Sequence, residues 1–154
     1  MTDPKHILET SRSILLVDWP NTSIPRSLLD AGFSVFGYSP HHYSRAEIVP
    51  DPPKDDNSIG VFPPKNESEK GWLIFHRLDK RPADVDVVCI YRPANELQGI
   101  ITDHVLPLRA KAVWLLRPVA STEEKTIVEA HNLVFIEDND ILAIVRSLHK
   151  HNQE

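Results

Sequence analysis

The chain has 154 residues, of which 41% are hydrophobic and 25% are charged, a composition that fits one globular domain with a core of its own. Its formal net charge of −5, without any run of lysines or arginines, argues against a nucleic-acid partner, and no apolar stretch reaches the roughly 18 residues of a membrane span. The opening residues lack the pattern of a secretory signal and the lone Cys89 excludes an internal disulfide, so we expect a cytoplasmic protein without a membrane partner.

Short apolar, β-branched runs recur along the chain, and each one predicts a strand. Most are apolar on both faces, as strands of a buried parallel sheet are. The predicted strands are residues 13–17, 33–38, 72–75, 85–91, 112–116 and 133–136. Cys89 lies inside one of these runs, which favours a buried structural thiol over a nucleophile.

Helical spacing appears between the predicted strands. Pro4 begins a short helix near the start of the chain, and Ser23 caps a helix that Gly32 ends. A third helix opens at Pro93, where we expect Gly99 to allow close packing against the sheet.

The last two helices have the clearest signals. Ser121 and Glu124 form a capping box at the start of one helix. The final helix begins at about Asp140, with Ile141, Val145 and Leu148 as its buried stripe, a list that follows helical spacing. The alternation of strands and helices predicts a three-layer α/β fold with a mostly parallel sheet.

One stretch interrupts this alternation. Residues 39–71 are rich in proline and show little periodicity. We expect a lid-like or surface loop excursion there, in place of the helix that would join the second and third predicted strands. No other boundary divides the chain, so residues 1–154 are predicted to form a single domain.

The candidate site lies where the strands end, because ligands of open parallel sheets bind at the carboxyl ends of the strands. The candidate residues are Asp18, Trp19, Pro20, Asn21, Thr22 and Ser23 after the first predicted strand, Ser39, Pro40, His41 and Arg45 after the second, Tyr91, Arg92 and Pro93 after the fourth, and Arg117 after the fifth. Two Arg-Pro pairs on one rim suit a phosphate that a guanidinium grips with two bonds, although solvated edge arginines explain them equally well.

The first turn contains no glycine, which argues against a dinucleotide site of the NAD or FAD type. Backbone amides of residues 21–23 would still point out of a helix N-terminus, where an anion is favoured. Asp18 opposes such an anion. Trp19 either stacks on a ligand base or plugs the sheet edge, and the plugging role is the more common one.

The sequence gives little indication of a metal site or a catalytic site. His41 and His42 are adjacent in an extended stretch and therefore point to opposite sides, which does not suit a metal site. The acidic run at residues 137–140 is explained by helix capping. No nucleophile, base and orienting group occur in a catalytic pattern, so no enzymatic activity is supported.

Three stretches together resemble the stand-alone CoA-binding domain proteins, which have a Rossmann-like fold. They are "GFSVFGYSP" (residues 32–40), "ADVDVVCIYRPANEL" (83–97) and "RAKAVWLLRPVASTEEKTIVEAHNLVFIED" (109–138). The "LLVDWP" opening is similar to a subgroup, seen mainly in bacteria, that lacks the usual glycine-containing turn. The resemblance covers roughly residues 11–147, and Arg109 stands where that family usually has glycine.

The resemblance implies a parallel sheet of five or six strands and a CoA site across the first, second and fourth loops. Residues 18–23 would face the pyrophosphate and pantetheine. Ser39 and Pro40 would flank the adenosine, with His41 or Arg45 near its ribose phosphate. Residues 91–93 would line the other wall.

The leading hypothesis is therefore non-catalytic binding of CoA or a related adenine nucleotide, a small-molecule partner, in a protein whose exposed apolar edges are compatible with a homodimer. One alternative is a ligand-free, receiver-like signalling domain, although Tyr91 and Arg92 stand where a receiver needs its aspartate. Another is a CoA-thioester enzyme that uses His41, His42 or Tyr91 as acid or base.

Overall fold

The computed structural model describes residues 3–38, 41–52, 58–65, 67, 69–116 and 122–152, with side chains as far as Leu148. The predicted capping residue Ser121 lies outside the described residues. Within them, the strands are β1 (Ser13–Val17), β2 (Ser34–Tyr38), β3 (Tyr43–Val49), β4 (Ser58–Phe62), β5 (Trp72–Arg77), β6 (Val87–Ile90), β7 (Ala112–Leu115) and β8 (Val134–Ile136).

These strands form one sheet in the order β4-β5-β3-β2-β1-β6-β7-β8. Strands β2, β1, β6, β7 and β8 pair in parallel, and β3, β5 and β4 extend the sheet in antiparallel fashion. The predicted three-layer α/β class with a mostly parallel sheet is confirmed. The expected five or six strands are corrected to eight across the described part of the chain.

The two additional strands lie where a loop excursion was expected. Strand β3 pairs with β2 and β5, and β4 pairs with β5, so residues 43–49 and 58–62 belong to the sheet. Proline cannot donate to a strand ladder, and Pro50 and Pro63 stand just beyond the ends of β3 and β4. These two prolines therefore mark the ends of short strands.

Helices cover both faces of the sheet. They are α1 (Pro4–Glu9), α2 (Ser23–Asp30), a 3-10 turn (Ala94–Glu96) that leads into α3 (Leu97–Ile100) and a π-helical turn (Ile101–Val105), α4 (Thr122–Ala130) and α5 (Ile141–Asn152). Helices α1, α2 and α5 pack on one face, and α4 and the 94–105 segment pack on the other.

Strand β1 shows why the central strands are apolar throughout. Ile14 and Leu16 belong to the first core cluster, whereas Leu15 and Val17 belong to the second. Successive side chains of a strand point to opposite faces, so both faces of β1 are covered by helices. Cys89 on β6 is also fully buried, as predicted, and burial raises the pKa of its thiol far above the ordinary value.

The sequence predicts the end of helix α2 correctly and misplaces its cap by one residue. Gly32 follows the helix with φ +96°, the left-handed conformation that commonly ends helices, as predicted. Ser23 is the first helical residue and Thr22 precedes it, so the predicted cap is displaced by one position. The Asn21 side chain satisfies the first turn instead, because its Oδ1 accepts a hydrogen bond from the Ser23 amide at 3.0 Å.

The final helix begins as the sequence predicts. Asp140 Oδ1 accepts a hydrogen bond from the Leu142 amide at 3.0 Å. Ile141, Val145 and Leu148 form the buried stripe. Among the helices described, none combines the length and the apolar character needed to cross a membrane.

Candidate functional site

A cleft opens at the carboxyl edge of the sheet, where the chain reverses its direction of winding. From β1 the chain proceeds to β2 on one side, and it later returns to place β6 on the other side. The cleft has a volume of about 480 Å³ and is lined by Val17, Asp18, Tyr38, His41, Arg92, Asn95, Glu96, Gly99, Ile100, Asp103 and His104. Such a switch point is the usual position of a ligand in an open α/β sheet.

Only part of the predicted set lines this cleft. Asp18, His41 and Arg92 do so. Residues 19–23, Tyr91 and Pro93 are outside its lining, as is Arg45, which is exposed on β3. The remaining candidates, Ser39, Pro40 and Arg117, lie outside the described residues.

Asp18 shows how the first turn folds without a glycine. Its φ of 63° is left-handed, a region that glycine adopts freely and that Asp and Asn enter more readily than most residues. Its Oδ1 accepts a hydrogen bond from the Trp19 amide at 2.9 Å. The carboxylate thus stabilises a turn conformation for which glycine would otherwise be expected.

Arg92 is held by carboxylates on both sides. Its Nε and Nη2 donate to the two carboxylate oxygens of Glu96 at 3.0 and 2.8 Å, and its Nη1 donates to Asp18 Oδ2 at 3.1 Å. Hydrogen bonds from the guanidinium hold the pKa of Glu96 below its ordinary value. The fork that would grip a phosphate is therefore engaged by the protein's own carboxylates.

Trp19 packs against the first core cluster. Its ring stacks on Phe75 with centroids 4.7 Å apart and planes 16° apart. The indole is not part of the cleft lining.

A cluster of three rings that sequence reasoning missed lies at the cleft, with two of them, Tyr38 and His104, in its lining. His104 Nδ1 and the Tyr43 hydroxyl form a hydrogen bond. The Tyr38 ring lies 4.2 Å from the His104 ring and 4.9 Å from the Tyr43 ring, measured between centroids. These three side chains join the ends of β2 and β3 to the π-helical turn.

Burial controls the protonation of this cluster. Desolvation, with a contribution from Tyr38, raises the pKa of Tyr43 to about 12. Desolvation also lowers the pKa of His104, although Asp103 acts in the opposite direction. Both side chains are therefore neutral at pH 7.

A sequence signal for His104 does exist. It follows Leu97 and Ile101, and precedes Leu108, at helical spacing on the buried side of the segment. A histidine on such a stripe is half-buried and close to the sheet. What spacing alone does not show is its partner, because Tyr43 is far away in the chain and belongs to a strand that was expected to be a loop.

Gly99 has a different role from the one predicted. No heavy atom lies within 4 Å of the position that a Cβ would take, so close packing against the sheet does not explain this glycine. The residue is exposed and lines the cleft. Its missing side chain leaves that wall of the cleft open.

Within the described parts of the chain, no group of three His, Cys, Asp or Glu side chains is arranged to hold a metal ion. His41 faces the cleft, whereas His42 is not part of the lining.

A mostly parallel sheet with helices on both faces and a cleft at its switch point defines a Rossmann-like protein. The family model described as CoA binding domain matches residues 25–146, and the chain belongs to this family. No curated protein matches the chain.

Two solved structures share the fold. One is the structure of cell-free ID.343 from Thermus thermophilus, with 17% identity, 94% of this chain and 95% of that chain covered, and a TM-score of 0.55. The other is Prb, the PH1109 protein redesigned for binding, with 12% identity, 94% of this chain and 89% of that chain covered, and a TM-score of 0.55. At these identities the likeness concerns the fold alone.

Proposed function

We propose that this protein binds CoA or a related adenine nucleotide in the cleft at the carboxyl edge of the sheet, and that it does so without catalysing a reaction. The observation that carries the proposal is a cleft of about 480 Å³ at the switch point of a CoA-binding-family sheet.

The charges of the cleft suggest how the ligand lies in it. Three carboxylates, those of Asp18, Glu96 and Asp103, are part of the lining, and Arg92 is bonded to two of them. A phosphate placed among them would be repelled. We therefore expect the phosphates to stay at the outer rim and the uncharged pantetheine arm to enter between Val17 and Ile100.

The composition of the lining disfavours one class of catalysis. Among the described residues that line the cleft there is no serine, threonine or cysteine, and Cys89 is fully buried on β6. Covalent catalysis through a hydroxyl or thiol nucleophile would need one of these side chains at the ligand. We also propose that the protein acts in the cytoplasm on a small-molecule partner and forms a homodimer.

A thermal-shift titration with CoA, acetyl-CoA, ADP, NAD and Mg²⁺ tests the proposal. A ligand present at one hundred times its Kd adds about 2.7 kcal/mol to the free energy of unfolding, which raises Tm by several degrees. We expect this rise with CoA, a smaller one with ADP, and none with Mg²⁺.

Arg92→Ala should abolish most of the CoA-dependent rise, because it leaves the carboxylates of Asp18 and Glu96 without their cation and the cleft then repels the anionic ligand. Arg12→Ala is the matched control, because Arg12 is exposed next to the start of β1, at the opposite edge of the sheet. A CoA-dependent rise in Tm that is the same in both variants would show that Arg92 does not contribute to CoA binding. The absence of any response in the native protein would contradict the proposed function.

A further inference from the structure

The ring of His104 is fixed in one orientation at the cleft wall. Its Nδ1 is bonded to the Tyr43 hydroxyl, and Tyr38 packs against its face. The other ring nitrogen, Nε2, has no hydrogen-bond partner among the described residues, and His104 lines the cleft. One polar atom of a rigidly held ring is thus available to a ligand.

The hydrogen-bonding options of Tyr43 determine which tautomer His104 adopts. The Tyr43 phenol stays protonated at neutral pH because burial raises its pKa to about 12. Within the part of the chain that the structure describes, its hydroxyl has no acceptor other than His104 Nδ1. The phenol therefore donates to Nδ1, and a neutral imidazole that accepts at Nδ1 carries its proton on Nε2.

The neighbours of His104 limit what this donor can bind. Asp18, Glu96 and Asp103 line the same cleft, and ionised carboxylates accept hydrogen bonds without donating them. They disfavour an anionic ligand group at this depth. An uncharged acceptor, such as a carbonyl oxygen, meets no such repulsion and satisfies the Nε2–H.

We propose that His104 Nε2–H donates a hydrogen bond to a carbonyl oxygen of the uncharged arm of a bound CoA compound, and that Tyr43 is the positioning residue that sets the tautomer. The inference rests on the proposed function. The carbonyl belongs either to an acyl thioester or to an amide of pantetheine, and the two sources are distinguishable by the choice of ligand.

The tautomer is measurable without any ligand. Nitrogen-15 spectra of the histidine side chains separate the Nε2–H form from the Nδ1–H form, and His104→Phe identifies the signal among the eight histidines. We expect the Nε2–H form in the native protein and a mixture of tautomers in Tyr43→Phe. A native Nδ1–H form would overturn the proposal, whatever the protein binds.

Calorimetric titration with three compounds tests the contact itself. Acetyl-CoA carries the thioester carbonyl, S-ethyl-CoA has the same length without it, and CoA ends in the thiol. If the thioester is the acceptor, His104→Phe weakens acetyl-CoA binding by about three- to tenfold and leaves the other two unchanged. If an amide is the acceptor, the same variant weakens all three compounds by that factor.

His104→Gln retains an N–H donor and should recover part of the loss, which a purely structural role of the ring would not produce. Equal affinity of the native protein and His104→Phe for all three compounds, with a native-like Tm, would overturn the inference while leaving CoA binding intact. If the native protein binds none of the three compounds, the proposed function fails instead. The tautomer measurement then still tests the hydrogen bond from Tyr43 to His104 Nδ1.

Discussion

At the scale of single residues, Asp18 combines a structural role with an electrostatic cost. Its Oδ1 holds the Trp19 amide, and its Oδ2 accepts from Arg92 at 3.1 Å. Asparagine also tolerates a left-handed φ and keeps the Oδ1 acceptor. Asp18→Asn should therefore preserve the turn while removing one negative charge from the cleft.

We expect Asp18→Asn to bind CoA about two- to fivefold more tightly than the native protein, because a partly exposed charge contributes less than about 1 kcal/mol. Calorimetric titration at low ionic strength measures the change, and 1 M salt should reduce it. Asp79→Asn, an exposed residue outside the cleft lining, controls for net charge. Unchanged affinity in Asp18→Asn would show that this carboxylate does not repel the ligand.

The residues of the cleft show what a sequence reveals about a site. Asp18 and Arg92 were identifiable because each directly follows an apolar run that predicts a strand. Glu96 and His104 come from a helix that approaches the same edge. Their presence depends on how that helix lies on the sheet, which is a tertiary property that local patterns do not contain.

At the scale of elements, an alanine substitution should have opposite effects on stability at two glycine positions. A Cβ on Gly37, in β2, would lie 2.9 Å from Ser44 Oγ and 3.2 Å from the nearest Phe75 ring atom. Gly99 lies in α3 with nothing within 4 Å of that position. Gly37→Ala should lower the free energy of unfolding by about 1–3 kcal/mol. Gly99→Ala should raise it by about 0.5–1 kcal/mol through helix propensity.

Urea denaturation of Gly37→Ala and Gly99→Ala, measured under the same conditions, tests both predictions. The same substitution in both makes each variant the control for the other. A stabilised Gly37→Ala protein would contradict the close approach of β2 to Ser44 and Phe75. A destabilised Gly99→Ala protein would show that α3 needs a backbone conformation that alanine resists.

Arg26 links helix α2 to the antiparallel half of the sheet through hydrogen bonds and an ion pair. The residue is 5% exposed. It donates to the carbonyl oxygens of Gly71 at 3.2 Å and Phe62 at 3.1 Å, and its Nε lies 3.4 Å from Glu69 Oε1. Replacing it with an apolar side chain would leave these acceptors buried without their donor.

We expect Arg26→Met to lower the free energy of unfolding by about 3 kcal/mol, the usual consequence of removing one member of a buried ion pair. Arg45→Met is the matched control: Arg45 is exposed on β3, and its replacement should change stability by less than about 0.5 kcal/mol. Equal urea midpoints for the two variants would mean that the α2 contact contributes nothing to folding.

At the scale of the whole molecule, the parallel half of the sheet was predictable, whereas β5 was the one strand of the antiparallel half that was predicted. Strands β1, β6 and β7 are buried on both faces and give uniformly apolar runs. Strand β3 alternates polar and buried residues, and β4 at the sheet edge has no fully buried position. Their identity as strands depends on pairing with β5, a long-range contact that propensity does not encode.

The stability of the molecule should depend on pH at both ends of the range. Burial lowers the pKa of His104 from 6.5, so below that pH the unfolded chain binds more protons and the free energy of unfolding falls as pH falls. Burial raises the pKa of Tyr43 from 10.0 to about 12 and that of Cys89 from 9.0. Above about pH 9 the unfolded chain therefore loses protons that the native protein keeps, and stability falls as pH rises.

We expect a plateau of stability between about pH 7 and 9, measured as urea midpoints at pH 5.5, 8 and 10.5. The share of Tyr43 in the alkaline loss is about 1 kcal/mol, because its partial exposure screens the effect of the shift. Cys89→Ala should flatten the alkaline slope and leave the acid slope unchanged, since only the buried thiol is removed. A stability that kept rising from pH 8 to 10.5 would contradict the burial of both groups. An acid slope lost in Cys89→Ala would show that the thiol and His104 do not act independently, although Cys89 belongs to the first core cluster and His104 lines the cleft.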